Sequence, residues 1–230
     1  MSMMKAVQVA GKGEPIKLVE IPNGLISIPN EITAEEAAPL LCAGETTFSA
    51  LHNSKARIGD LVAVSGIGGL GHLAVQYAKK AGYEVAAISR GVDKKSLAKE
   101  LGAHHYIDSD KENVAESLKA LGGAKVILAT APNATVISSL MGGLSMGGEL
   151  IIAAVNDDPL NWSAMDFLMG TNTVKGTFTD INEMEAAVRF SLLTDVRPMI
   201  EVFPLEQARE AYEKMMAAKT HFRAVLRISD

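Results

Sequence analysis

A chain of 230 residues with 22 Lys or Arg against 27 Asp or Glu carries a formal charge of −5, which excludes recognition of nucleic acid through a basic face. With 48% of its residues hydrophobic and 21% charged, the chain can bury a sizeable core, which excludes disorder as its main state. The single cysteine, Cys42, excludes an internal disulfide and any metal site built from several thiolates of one chain.

Met1 to Lys5 lead into a short alternating segment without the apolar run and small-residue cleavage site of a signal peptide, so a reducing, cytoplasmic setting is expected. Three short strands follow, Lys5–Val9, Ile16–Ile21 and Leu25–Ile28. Asn23-Gly24 between the last two is a two-residue hairpin signal. Thr33 and Glu36 form a capping box that opens a helix. From Leu61 the pattern changes to β-branched runs alternating with helical ones. Leu61–Ser65 reads as a buried strand and Leu70–Ala81 as a helix stopped by Gly82. Glu84–Ile88 is a second strand, and Lys94–Leu101 a helix stopped by Gly102. His105–Ile107, Lys125–Ala129, Glu149–Val155 and Asn172–Phe178 supply four more strands, with helices near Glu112–Leu121 and Thr135–Leu140 between them. Val126 to Gly148 lacks an ionisable side chain, yet Pro132, Asn133 and two Gly-Gly pairs divide it, so a buried sheet explains it better than a membrane span. Pro204–Ala218 reads as an amphipathic helix and Arg223–Ile228 as a last strand. The expectation is an α/β fold, a doubly wound six-stranded parallel sheet with a small second sheet from the two termini.

Gly66-Ile67-Gly68-Gly69-Leu70-Gly71 contains G-x-G-x-x-G between the first buried strand and its helix. A tight turn, close approach of a pyrophosphate to the backbone, and helix–strand packing each favour a missing side chain there, and the helix start offers free N–H groups to phosphate. That position makes Gly66, Gly68, Gly69, Leu70 and Gly71 a candidate dinucleotide loop of the Rossmann type. NAD sites place a carboxylate about twenty residues on, against the ribose 2′-hydroxyl. Here the next strand ends Ile88-Ser89-Arg90-Gly91, with no acid at its tip. Ser89 and Arg90 suit a 2′-phosphate, with Lys94 and Lys95 nearby, which favours NADP over NAD.

Taken together, these residues resemble the zinc-dependent medium-chain alcohol dehydrogenases, most closely the NADP-preferring branch that includes cinnamyl alcohol dehydrogenases. The resemblance runs through Glu35–Gly44, Gly66–His72, Leu101-Gly102-Ala103 and Phe203-Pro204-Leu205 to Phe222-Arg223. It implies that Cys42 matches the third ligand of the catalytic zinc and that Thr46 lies beside the nicotinamide. Thr130, Ala131, Ala153, Ala154 and Val155 match residues lining the nicotinamide end, and Arg223 matches an arginine near the diphosphate. Residues 46–178 would form the dinucleotide-binding domain, and 1–45 with 179–230 a remnant of the catalytic domain. The family's dimer implies pairing through the edge strand at 171–178.

The chain departs from the family between Pro22 and Pro29. The family's segment with the first two zinc ligands and the four-cysteine zinc lobe is missing there, replaced by the Asn23-Gly24 turn. An engineered excision closed by that turn fits this junction, with natural truncation as the alternative. Zinc would act as a Lewis acid held by about three protein ligands, and with Cys42 as a vestigial, packed or half-exposed thiol, no zinc and little alcohol oxidation are expected. The five histidines, His52, His72, His104, His105 and His221, match no ligand of the family and read as packed or surface residues. Asp157, Asp158 and Asp166 read as loop acids. A zinc-free NADPH-dependent oxidoreductase and a non-catalytic interaction module remain the other function classes, and neither nucleic acid nor membrane is expected as a partner.

Overall fold

The computed structural model describes residues 26–154, 157–177 and 180–228, and the backbone of 3–8 and 17–22. Strand β1 (Met3–Gln8) pairs antiparallel with β2 (Lys17–Pro22), Val7 standing opposite Leu18. The expected hairpin partner of β2 is therefore corrected. Asn23, Gly24 and Leu25 lie outside the described residues, and residues 26–28 form no strand. β1 instead offers six successive partners, whereas the stretch between Pro22 and Pro29 is short and bounded by residues that interrupt a ladder.

Helix α1 (Ala34–Pro39) starts at the capping box expected from sequence. Thr33 Oγ1 accepts the Glu36 N–H at 3.2 Å, and the Glu36 carboxylate accepts the Thr33 N–H at 3.4 Å. Pro39 has no N–H to continue the ladder, and the chain widens into a π-type turn over Leu40–Gly44 before α2 (Glu45–His52).

Six parallel strands make the main sheet: β3 (Leu61–Ser65), β4 (Glu84–Ser89), β5 (His105–Asp108), β6 (Ala124–Ala129), β7 (Leu144–Ile152) and β8 (Thr173–Gly176). Their order is β5-β4-β3-β6-β7-β8, so the chain leaves β3 in one direction and returns on its other side with β6. The helices between them are α3 (Gly71–Lys80), α4 (Lys95–Glu100), α5 (Val114–Ala120), α6 (Ala134–Leu140) and α7 (Ala164–Leu168). The period-two alternation of the strands divides the core. Val62, Val64, Leu128 and Ile151 face Leu73, Tyr77 and Ala187 on one side. Ala63, Ile127 and Leu150 face Leu118, Ile137 and Leu140 on the other. Both faces are covered, as a parallel sheet requires.

Helix α8 (Ile181–Thr194) was not anticipated. Its cap was nonetheless readable, since Asp180 Oδ1 accepts the N–H groups of Asn182 and Glu183 at 2.7 and 2.9 Å. The expected helix from Pro204 is also corrected. Pro204 closes β9 (Ile200–Pro204), and after a single 3-10 turn the helix proper is α9 (Ala208–Met216). Pro204 has extended backbone with ψ 153°, and it serves as the end of a strand. β9 pairs in parallel with β10 (Arg223–Arg227). The small terminal sheet is thus two separate pairs, β1 with β2 and β9 with β10. No helix among the described residues is long and apolar enough to cross a membrane.

Candidate functional site

Parallel sheets bind ligands beyond the carboxyl ends of their strands, where the strand order reverses. That point falls here at the end of β3, between β4 and β6, and a cavity of about 520 Å³ opens there. Gly66, Gly68, Gly69, Ser89, Arg90, Lys94, Thr130 and Ala131, all predicted from sequence, line it together.

The glycines have distinct reasons. Gly66 has φ +99°, and a Cβ there would stand 2.9 Å from Thr130 Oγ1. A Cβ on Gly71 would meet the Gly66 carbonyl oxygen at 1.8 Å, so α3 can leave the strand this closely only without one. At Gly68 a Cβ would meet nothing within 4 Å. Internal packing does not explain its missing side chain, and open room for a ligand does. No side chain caps α3, and although the His72 and Leu73 N–H groups donate to the Gly68 and Leu70 carbonyl oxygens at 3.1 Å, the positive dipole end of the helix faces an anion there.

Side chains hold the loop from three directions. Thr130 Oγ1 lies 2.9 Å from the Ser65 and Gly66 carbonyl oxygens, so its hydroxyl donates back into the turn. Lys94 Nζ donates to the Ile67 carbonyl at 2.7 Å, which places its charge on the loop itself. The fully buried His72 donates from Nδ1 to the Gly68 carbonyl at 3.0 Å and accepts the Met199 N–H on Nε2 at 3.0 Å. These two contacts fit one neutral tautomer. Burial first, and the nearby Arg223 among the lesser causes, holds its pKa down to about 4.

Other predicted residues lie elsewhere. Leu70 is the residue before α3. The half-buried Thr46 accepts the Thr177 hydroxyl on its carbonyl at 3.2 Å and is not on the cavity wall. The Ala153 N–H donates to the Ala129 carbonyl at 2.9 Å, continuing the β6–β7 ladder, and Ala154 is half-buried beside it. Val155 lies outside the described residues. Arg223 packs over the loop, its Cδ 3.0 Å from where a Gly69 Cβ would sit. Sequence reasoning missed Ile67, Ser109, Pro132, Asn133 and Val136 on the wall. Asn133 carried a signal, because it caps α6 by accepting the Val136 N–H at 2.9 Å.

Cys42 is exposed, not packed or half-exposed as expected. Leu40 and Ala43 on the same turn take the inward positions, and Arg223 Nη2 stands 3.7 Å from the Cys42 sulfur. A guanidinium occupies the approach to the thiol, and no group of three or more His, Cys, Asp or Glu among the described residues could hold a metal ion. These residues do not fit a catalytic zinc. The remaining histidines have other contacts: His52 with Glu183, His104 with the Val85 N–H, His105 with Glu84 and His221 edge-on to the Phe222 ring. Asp166 caps α7.

Strand order, glycine loop and switch-point cavity define the nucleotide-binding fold of a dehydrogenase. Residues 69–192 match the model of the zinc-binding dehydrogenase family. The chain belongs to that family, the medium-chain alcohol dehydrogenases. It is 43% identical over 202 residues to alcohol dehydrogenase notN of Aspergillus sp. (strain MF297-2), a match covering 87% of this chain and 59% of the relative. It is 34% identical to NADP-dependent alcohol dehydrogenase C 1 of Mycolicibacterium smegmatis, covering 89% of this chain and 58% of that one. The structure of the Helicobacter pylori protein described as CAD complexed with NADP(H) superposes with a TM-score of 0.77 at 30% identity, covering 93% of this chain and 61% of that one. The chain thus spans about three fifths of the length of the relatives it matches.

Proposed function

We propose that this chain is the NADP(H)-binding unit of a medium-chain alcohol dehydrogenase that lacks most of its catalytic domain, and that it oxidises alcohols little or not at all. The observation that carries the reading is Gly68, whose missing side chain opens onto a cavity rimmed by Ser89, Arg90 and Lys94. A bound nicotinamide cofactor supplies a hydride donor or acceptor. The chain's part is to receive the diphosphate on the Gly66–Gly71 loop and the uncapped start of α3. Ser89 and Arg90 meet the 2′-phosphate at the tip of β4, and Arg223 flanks the diphosphate. Thr46, Thr130, Ala131, Ala153, Ala154 and Val155 are assigned to the nicotinamide end. Residues 46–178 form the cofactor domain, and 1–45 with 179–230 the remnant. The junction at Asn23-Gly24 is read as an engineered excision, which a natural gene encoding the same junction would refute.

NADPH fluorescence and a steady-state assay test this reading. The expected result is saturable NADPH binding, its loss in Gly68→Ala, and no alcohol oxidation with zinc added. Zinc-dependent turnover of an alcohol, or undiminished binding in Gly68→Ala, overturns it. NADPH-driven reduction of a quinone would instead favour a zinc-free oxidoreductase.

A further inference from the structure

A second cavity, of about 310 Å³, lies away from the dinucleotide site, between α2, the end of α3 and α8. Its walls are Phe48, Leu51, His52, Tyr77, Ala81, Tyr83 and Phe190. Phe48, Leu51 and Tyr77 are buried, so the floor belongs to the core. The rings lock one another in tilted and edge-on contacts, with centroids 5.7 Å apart for Phe48 and Tyr77 and 5.5 Å for Phe48 and Phe190. Tyr77's hydroxyl is taken by Ser191 Oγ at 2.7 Å. Water on this floor would lack the two to four polar partners that hold it in place. An apolar cavity of about 150 Å³ is already large enough to bind benzene.

Besides the Tyr83 hydroxyl, the wall carries one ring nitrogen pair that selects among apolar guests. His52 places Nδ1 3.3 Å from both oxygens of Glu183. A carboxylate only accepts, so this contact takes a ring hydrogen on Nδ1; in the neutral imidazole Nε2 is then an acceptor, and Nε2 makes no hydrogen bond among the described residues. The adjacent Glu183 carboxylate disfavours an anionic guest. We propose that the cavity between α2, α3 and α8 binds a neutral, single-ring phenol, its ring among Phe48, Tyr77 and Phe190 and its hydroxyl donating to His52 Nε2. This site is independent of the dinucleotide reading.

The test uses phenol and anisole as probes, followed by amide NMR shifts in the full chain. Phenol is expected to saturate shifts in α2, the end of α3 and α8, and to bind about tenfold tighter than anisole, which has no hydroxyl hydrogen to donate. Ala81→Leu, which fills the cavity, is expected to weaken phenol at least tenfold while thermal unfolding stays cooperative and NADPH titration unchanged. His52→Ala is expected to remove the preference for phenol over anisole and leave anisole binding in place. Shifts that do not saturate or map elsewhere, equal binding of the two probes to the wild type, or wild-type binding by a folded Ala81→Leu would each overturn the proposal.

Discussion

Two buried ionisable side chains shift stability with pH in opposite directions. His72 has its pKa held from 6.5 down to about 4, chiefly by burial. Between those values the unfolded chain binds the proton and the folded chain does not, so this group's stability is present above pH 6.5 and lost as pH falls toward 4. Glu45 is the reverse. Burial first, then the charges of Glu183 and Asp180, raise its pKa from 4.5 to about 7, and its Oε1 is buried without a hydrogen-bond partner among the described residues. The folded chain keeps this proton longer, so stability is lost as pH rises from 4.5 to 7. Glu45→Gln removes only the second effect. Its unfolding free energy relative to the wild type should climb by about 3 kcal/mol between pH 4 and pH 8, as measured by urea denaturation. A pH-independent difference would show that Glu45 ionises normally.

At the scale of elements, the glycine loop separates folding from binding. Gly71→Ala forces a Cβ to 1.8 Å from the Gly66 carbonyl oxygen. It should cost about 2 kcal/mol or more, seen as a lower midpoint in thermal unfolding. Gly68→Ala meets nothing within 4 Å, and should unfold within about 0.5 kcal/mol of the wild type. The buried strands β3, β4 and β6 and the loop were legible because short, continuous apolar runs rich in β-branched residues follow Gly59, Gly82 and Gly122-Gly123 and are too short for helices. α8 is hard to read from sequence despite its Asp180 cap, because its apolar face blends into a mixed sequence. Asn23-Gly24 misled, since a turn signal says how a chain can reverse and not which strand it will pair with. The cavity wall at Ser109 and Pro132 was hidden for a different reason. These residues reach the site through sheet order, which local pattern does not encode.

At the scale of the whole molecule, β8 forms one edge of the six-stranded sheet. Near it Met146, Met165, Leu168 and Met169 are exposed. An open edge flanked by apolar side chains invites pairing with a second copy, and we propose a dimer through residues 171–178. Sedimentation equilibrium should return twice the 24.3 kDa chain mass, whereas the mass of a single chain at micromolar concentration would exclude the dimer. The central claim concerns the cofactor, and calorimetric titration of the metal-free protein with NADP and, separately, NAD tests it most directly. The account predicts that NADP binds at least tenfold tighter than NAD, and that Arg90→Ala removes most of this preference by weakening NADP alone, as loss of a charge-assisted contact of roughly 1.5–3 kcal/mol would do. Binding of neither dinucleotide, or NAD bound as tightly as NADP, would contradict it.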